Sequence, residues 1–392
     1  MTVKGFRASA VAAGLRYQER LDLGLIAADE PAAAAGMLTR NRVKAAPVLW
    51  SEGALAAGRI RAILVNAGRA NACTGAEGME TAARSARAVA AVLGCDPGQV
   101  LLASTGIIGQ QLNIEVLEKA VPDLAAGLGE DGLPRVAEAM MTTDTHPKTA
   151  RAQGEILGRP FQVVGLAKGS GMICPDMATM LSFVLTDAAV EPGMLKTMLG
   201  RAVDQTYNCI TVDGDTSTND CVFLLASGRA GNEPIREPDS PGREAFEAAL
   251  CAVLADLAEM MIADGEGATK LVRIRVEGAR DPVQAKNAAM TVANSPLVKT
   301  AFFGQDANWG RILAALGRSG AEFDPDRVDI DLDGAPLVRG GRGLPDEAPA
   351  AAVMRQERFA ITIDLKNGQG RAEVLTCDLS LDYVKINADY RS

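Results

Sequence analysis

Short apolar runs of strand length alternate with helix-length segments along the whole chain. A chain patterned that way buries its apolar faces as layers of sheet and helix. Residues 61–65 and 100–103 read as buried strands, and between them residues 75–93 form an Ala-rich helix stopped by Gly94. Residues 161–167 read as a strand feeding the Gly-rich Lys168-Gly169-Ser170-Gly171, and residues 180–185 resume as a strand. Residues 228–242, rich in Gly, Pro and charge, predict a surface loop. Residues 243–263 are amphipathic, with Phe246, Leu250, Val253, Leu254, Leu257 and Met261 on one helical face. Residues 271–277 alternate as a half-buried strand, and further strands fall near 328–332, 359–365 and 373–379. The tail at 383–386 alternates as well and predicts a last strand. No internal repeat is visible. The expected class is α/β or α+β with layered sheets.

The 392 residues exceed one ordinary core, so two or three are expected, and a hydrophobic fraction of 48% argues against disorder. No uninterrupted apolar stretch reaches the ~18 residues of a spanning helix. Residues 8–15, after Lys4 and Arg7, imitate a signal peptide but are short and closed by Arg16; they read as the first strand. The net charge of −9 is interspersed and only 4% of residues are aromatic, which disfavours a nucleic-acid partner. Seven scattered cysteines, an odd number without a C-x-x-C pair, point to free thiols and a cytoplasmic protein. The single histidine, His146, excludes a His-rich zinc site, and it is the only candidate for a Ser-His or Cys-His pair.

Five segments concentrate glycine and small polar residues: 65–75, 103–106, 141–145, 168–179 and 212–220. Each alone could be a loop; together they point to one site built from several loops. The stretch 213–220 fails as a calcium loop, because Thr218 and Leu224 stand where Gly and Glu are required, so a tight turn with local hydrogen bonds is expected. Gly265-Glu266-Gly267-Ala268-Thr269-Lys270 does not satisfy the phosphate-loop pattern. No metal is expected.

Residues 168–181 carry the most information. Glycines and Pro175 bend the backbone, and the small Ala178 leaves its carbonyl open to the Thr179 hydroxyl. Attack there gives an ester that water opens, leaving Thr179 as a new N-terminus. Its own α-amine, with a reference pKa near ~8, then serves as base for its own hydroxyl, and no histidine is needed. Cys174 competes as nucleophile but has no evident activating partner, so it reads as a buried thiol.

These segments resemble the ornithine acetyltransferase family (glutamate N-acetyltransferases, arginine biosynthesis bifunctional proteins) over essentially the full length. The matches include Asn41-Arg42-Val43-Lys44-Ala45-Ala46-Pro47-Val48, Ala70-Asn71-Ala72-Cys73-Thr74-Gly75, Ala103-Ser104-Thr105-Gly106 and Met141-Thr142-Thr143-Asp144-Thr145. They continue with Lys168-Gly169-Ser170-Gly171-Met172, Met177-Ala178-Thr179-Met180-Leu181, residues 211–220 and 265–270, Asn294-Ser295-Pro296-Leu297-Val298-Lys299-Thr300, Asn308-Trp309-Gly310-Arg311 and Asn387-Ala388-Asp389-Tyr390-Arg391-Ser392.

The resemblance implies self-cleavage between Ala178 and Thr179 into an α chain, 1–178, and a β chain that stay together and pair into a heterotetramer. The β chain would comprise 179–280, completing the main sandwich, and a C-terminal lobe, 281–392. It implies a layered α/β sandwich reminiscent of N-terminal-nucleophile enzymes, with a smaller C-terminal α/β lobe. An acetyl group would pass from N-acetylornithine to Thr179 and then to glutamate, in a ping-pong cycle of arginine biosynthesis. Thr105 and Gly106 match the oxyanion-hole positions; Thr142, Lys168, Thr179, Glu266, Asn387 and Ser392 match substrate-binding positions. Lys168 can pair a substrate carboxylate and Glu266 a substrate ammonium. No cofactor is implied, although acetyl-CoA is an alternative donor in bifunctional members. Asp176 and Arg69 depart from the common Asn at their positions. Two other readings are an N-terminal-nucleophile peptidase or amidase, in which water discharges the acyl-enzyme, and an uncut, inert binding protein.

Overall fold

The computed structural model describes residues 1–174 and 180–389. Its strands gather into two sheets. The first uses β1 (Phe6–Val11), β2 (Leu23–Leu38), β3 (Arg59–Asn66), β4 (Val100–Ser104), β5 (Lys148–Ile156), β6 (Arg159–Lys168) and β7 (Leu181–Thr186); after β8 (Ile210–Thr211), which lies elsewhere, β9 (Cys221–Ala226) completes it. The order is β4-β3-β2-β9-β7-β6-β5, with β1 against β2.

Every residue of β7 and β9, LSFVLT and CVFLLA, is buried, because both strands are covered on both faces. Period-two alternation sorts the side chains. Val163, Val184, Val222 and Leu224 face the helices Pro192–Gln205 and Arg243–Ala263. Val164, Leu166, Phe183, Leu185, Phe223 and Leu225 face the helix Leu133–Ala139 and β1. Phe183 and Phe223 stack across β7 and β9 at 5.9 Å. The helices Gly75–Leu93 and Ile114–Ala126 cover β3 and β4, and Gly94 ends the first in a left-handed cap.

β2 changes partner along its length. It pairs with β3 at its start, breaks register between Ala27 and Ala32, where Asp29, Glu30 and Pro31 intervene, and pairs with β9 from Ala33 to Leu38.

The second sheet adds β10 (Leu271–Ala279), β11 (Asp329–Leu332), β12 (Ala335–Arg339), β13 (Arg342–Gly343), β14 (Arg358–Asp364) and β15 (Gly370–Cys377), in the order β13-β12-β11-β14-β10-β15-β8. Its own core includes Ile274, Val276, Ile330, Ile361 and Val374 beneath the helices Pro282–Ala293, Pro296–Phe303, Trp309–Gly317 and Ala348–Met354. The expected layered α/β class, with a smaller second lobe, is what the chain adopts.

One expectation is corrected. The tail at 383–386 is not a strand but part of a helix, Leu381–Asp389. Ser380 Oγ accepts the Tyr383 amide at 3.3 Å, which caps the first turn. β15 has already ended at Cys377, and none of the helix's described residues is buried, so the alternation in 383–386 answers to no sheet face.

Candidate functional site

Three loop systems meet at one cleft. β6 and β7 are antiparallel, and their last rung sets Lys168 opposite Leu181, so the connection 169–180 springs from that rung. β7 runs parallel to β9 with Leu181 opposite Cys221, which brings the end of the 212–220 loop alongside. The loops after β3 and β4 are laced together: Thr105 N donates to Asn66 O at 3.0 Å, and Ala70 N to Ile107 O at 3.0 Å. Residues 45 and 46 join the systems, Ala45 N donating to Thr218 O at 2.9 Å and Ala46 N to Asn71 O at 3.1 Å.

The cleft between them holds about 700 Å³ counting the open solvent at its mouth. Thr105, Gly106, Thr142, Lys168, Glu266 and Asn387 all line it, with Met180 beside them. Ala178, Thr179 and Ser392, named from the sequence, lie outside the described residues, as does Asp176.

The Thr105 amide is committed to Asn66 O, which leaves its hydroxyl as the donor Thr105 can offer the cleft it lines. Gly106 sits at φ 127°, and a Cβ there would lie 2.3 Å from the Gly68 carbonyl carbon, so only glycine fits.

Lys168 is nearly buried and faces Asp144 Oδ2 at 3.8 Å. Asp144 is held further by the Gly169 amide at 2.7 Å, the Thr142 amide at 3.1 Å and Lys148 Nζ at 2.8 Å. Burial opposes its charge, yet the Lys168 and Lys148 ammoniums and the Gly169 amide hold its carboxyl far below the ordinary range. Lys148, fully buried, also reaches Asp264 Oδ2 at 2.5 Å. Asp264 in turn accepts the Thr145 amide at 3.0 Å and the Thr145 hydroxyl. A charged lattice therefore fixes the 142–145 segment, the root of Lys168 and the end of the helix Arg243–Ala263 relative to one another.

Glu266 closes the other side. Its amide donates to Ser170 O at 2.8 Å, and its Oε2 accepts Asn387 Nδ2 at 2.8 Å. A Cβ on Gly171 would lie 2.3 Å from the Glu266 carboxyl, so that glycine makes room for it.

Sequence reasoning assigned no role to Lys148 or Asp264, and to the carboxylates of 213–220 only a tight turn. Asp213 takes the amides of Met172 at 2.6 Å and Ile173 at 2.9 Å, pinning the 169–174 segment, and the Asp215 amide at 3.2 Å as the expected local turn. The signal available was the density of Asp and Thr in 213–220, which fits a local turn equally well and does not reveal the reach to the 169–174 segment. His146 is about half exposed, hydrogen-bonds Thr145 Oγ1 at 3.0 Å and does not line the cleft. Cys174 is half-buried, and burial pushes its thiol up.

Fold and cleft together define the class: an α/β enzyme with a polar, small-molecule cleft that sets hydroxyl and amide donors against an ammonium and a carboxylate. The comparisons specify the family. The ArgJ family model matches residues 7–392. The arginine biosynthesis bifunctional proteins ArgJ of Geobacter sulfurreducens and Desulfotalea psychrophila are 52% and 53% identical, over the whole of this chain and of theirs. The crystal structure of the protein of that name from Bacillus halodurans, 42% identical, superposes with a TM-score of 0.52 over all of its chain and 54% of this one. The chain belongs to the ArgJ family.

Proposed function

We propose that this enzyme moves an acetyl group from N-acetylornithine to glutamate through an acetyl ester on Thr179, as a step of arginine biosynthesis. Cleavage between Ala178 and Thr179 first frees the Thr179 amine, which then serves as base for its own hydroxyl. The observation that carries the reading is convergence. Thr105, Gly106, Lys168, Glu266 and Asn387, far apart in sequence, line one cleft together with Met180, the residue bonded to Thr179.

Charge developing on the acetyl oxygen is met by the Thr105 hydroxyl and the Gly106 amide. Lys168 takes a substrate carboxylate and Glu266, steadied by Asn387, a substrate ammonium. Ornithine leaves from the acetyl-enzyme, glutamate enters the same cleft, and its amine takes the acetyl group. The cycle needs no cofactor. The relatives are called bifunctional, and acetyl-CoA is the second donor we propose. The two pieces stay together and pair into a tetramer of two α and two β chains in the cytoplasm.

Glutamate acetylation is assayed with N-acetylornithine and with acetyl-CoA in turn, and the intact mass of wild type and Thr179→Ala is measured. Wild type is expected as two pieces, 1–178 and 179–392, and Thr179→Ala as one inactive chain. Two normal pieces from Thr179→Ala, or acetyl release that needs no added amino acid, would overturn the reading.

A further inference from the structure

Asn66 is the last residue of β3 and pairs in register with Ser104, the last residue of β4. Both are 3% exposed and line one small cavity with Leu64, Leu102, Leu112 and Leu117. A polar pair in such surroundings costs stability unless it is hydrogen-bonded. Ser104 Oγ donates to Asn66 Oδ1 at 2.6 Å, and Asn66 Nδ2 donates to Arg69 O at 2.9 Å. A carbonyl can only accept, so the bond to Arg69 settles which end of the amide is nitrogen. The main-chain carbonyl of Asn66 takes the Thr105 amide at 3.0 Å.

These bonds converge on the turn that carries Gly106. Ile107 N donates to Gly68 O at 3.3 Å, so the amides on both sides of Gly106 are taken up by the loop after β3. The approach is close: a Cβ on Gly106 would lie 2.6 Å from the Arg69 nitrogen as well as 2.3 Å from the Gly68 carbonyl carbon. The Gly68–Arg69 peptide is therefore the floor on which Gly106 rests, and Asn66 Nδ2 holds the next carbonyl along. Thr105 and Gly106 line the cleft, and Asn66 and Ser104 lie behind them.

We propose that Asn66 is a positioning residue: its side chain, joined to Ser104 and Arg69, sets where the Thr105 hydroxyl and the Gly106 amide stand. The inference rests on the reading that those two groups meet the charge on the acetyl oxygen. Such donors work when they are held ready at hydrogen-bond distance from the place where charge develops. A misplacement of about 1 Å can cost ~100-fold in rate. Asn66→Ala keeps the main-chain bond to the Thr105 amide and removes both side-chain ties. The Arg69 carbonyl is then released, and the Ser104 hydroxyl is left in the cavity without its acceptor.

The test compares wild type, Asn66→Ala, Thr105→Ala and the double variant in glutamate acetylation. Rates are taken per mole of cleaved protein, by intact mass, well below each thermal transition. Asn66→Ala is expected to lower kcat ~10- to 100-fold with KM little changed. In the Thr105→Ala background the same substitution should cost about 5-fold less, because one of the donors it places is already gone. A merely structural Asn66 would lower the unfolding temperature alone, and a wild-type kcat in Asn66→Ala overturns the proposal. So does a change confined to KM, or a double variant whose loss is the product of the single losses. If Thr105→Ala keeps its kcat, the oxyanion reading fails and takes the proposal with it; an impaired Thr105→Ala beside an unimpaired Asn66→Ala condemns the proposal alone. Should Asn66→Ala fail to fold or to be cut, Ser104→Ala is judged by the same criteria, and Ser104→Thr, which keeps the hydroxyl, should recover kcat.

Discussion

Replacing Lys148 by methionine removes a charge while keeping most of the side-chain volume. The Lys148 ammonium is fully buried between Asp144 Oδ1 at 2.8 Å and Asp264 Oδ2 at 2.5 Å. Without it Asp144 keeps Lys168 at 3.8 Å and two amides, and Asp264 keeps the amide and hydroxyl of Thr145. Removing one partner of a buried pair costs about 3–5 kcal/mol, because a charge is left uncompensated. Here two carboxylates depend on the same ammonium, so the upper end is expected. At about 2–4 °C per kcal/mol for a domain of about 150–250 residues, the transition of the first lobe should move down by about 6–20 °C. The sign with pH follows from Asp144, whose folded carboxyl titrates below its ordinary 3.8. Its contribution is complete above that value and fades as pH falls toward the folded value. Lys148→Met shrinks the depression, so the gap between parent and variant should be widest near neutrality and narrow below about pH 4. Thermal and urea unfolding at neutral pH and at about pH 3 measures both terms. A loss under about 1 kcal/mol at neutrality, or one of equal size in acid, would refute the reasoning.

Two further outcomes concern the cleft. Thr105→Ala keeps the amide that Asn66 holds and removes only the hydroxyl, so kcat should fall ~100-fold with a smaller change in KM; a change confined to KM would move Thr105 from charge stabilisation to binding. Asn387→Ala removes the 2.8 Å bond to Glu266, so KM for glutamate and N-acetylornithine should rise ~10-fold, a hydrogen bond to a charged group, while self-cleavage persists; unchanged KM values would make the tail ordinary surface.

Periodicity made much of the scaffold legible. The helix Arg243–Ala263 was readable to the residue, because six apolar side chains recur on one face, and β7 was readable to within a residue as a short, mostly apolar run. β2 was not, because its Ala-rich second half carries little β-propensity and is a strand only through its pairing with β9. The tail misled for another reason: its alternation spans four residues, too few to separate periods of 2 and 3.6, and the Ser380 cap lay outside the window. At the site, the motif segments pointed to the lining residues. The Lys148–Asp264 contact spans 116 positions, and neither residue stands out locally, so a single sequence gives no hint of it.

The strand order of the first sheet bears on how the molecule is assembled. β7 and β9 follow the 169–180 connection in sequence, yet they lie wedged between β2 on one side and β6 on the other, both of which precede it. A cut in that connection would leave each piece gripped by the other along two ladders, Ala33 to Leu38 against β9 and Val163 to Lys168 against β7. Neither piece would own the whole of the first sheet, so a cut there would have to follow folding of the continuous chain. Once cut, an unfolded molecule would have to find its other half by diffusion, and its refolding would slow with dilution where the uncut chain's would not.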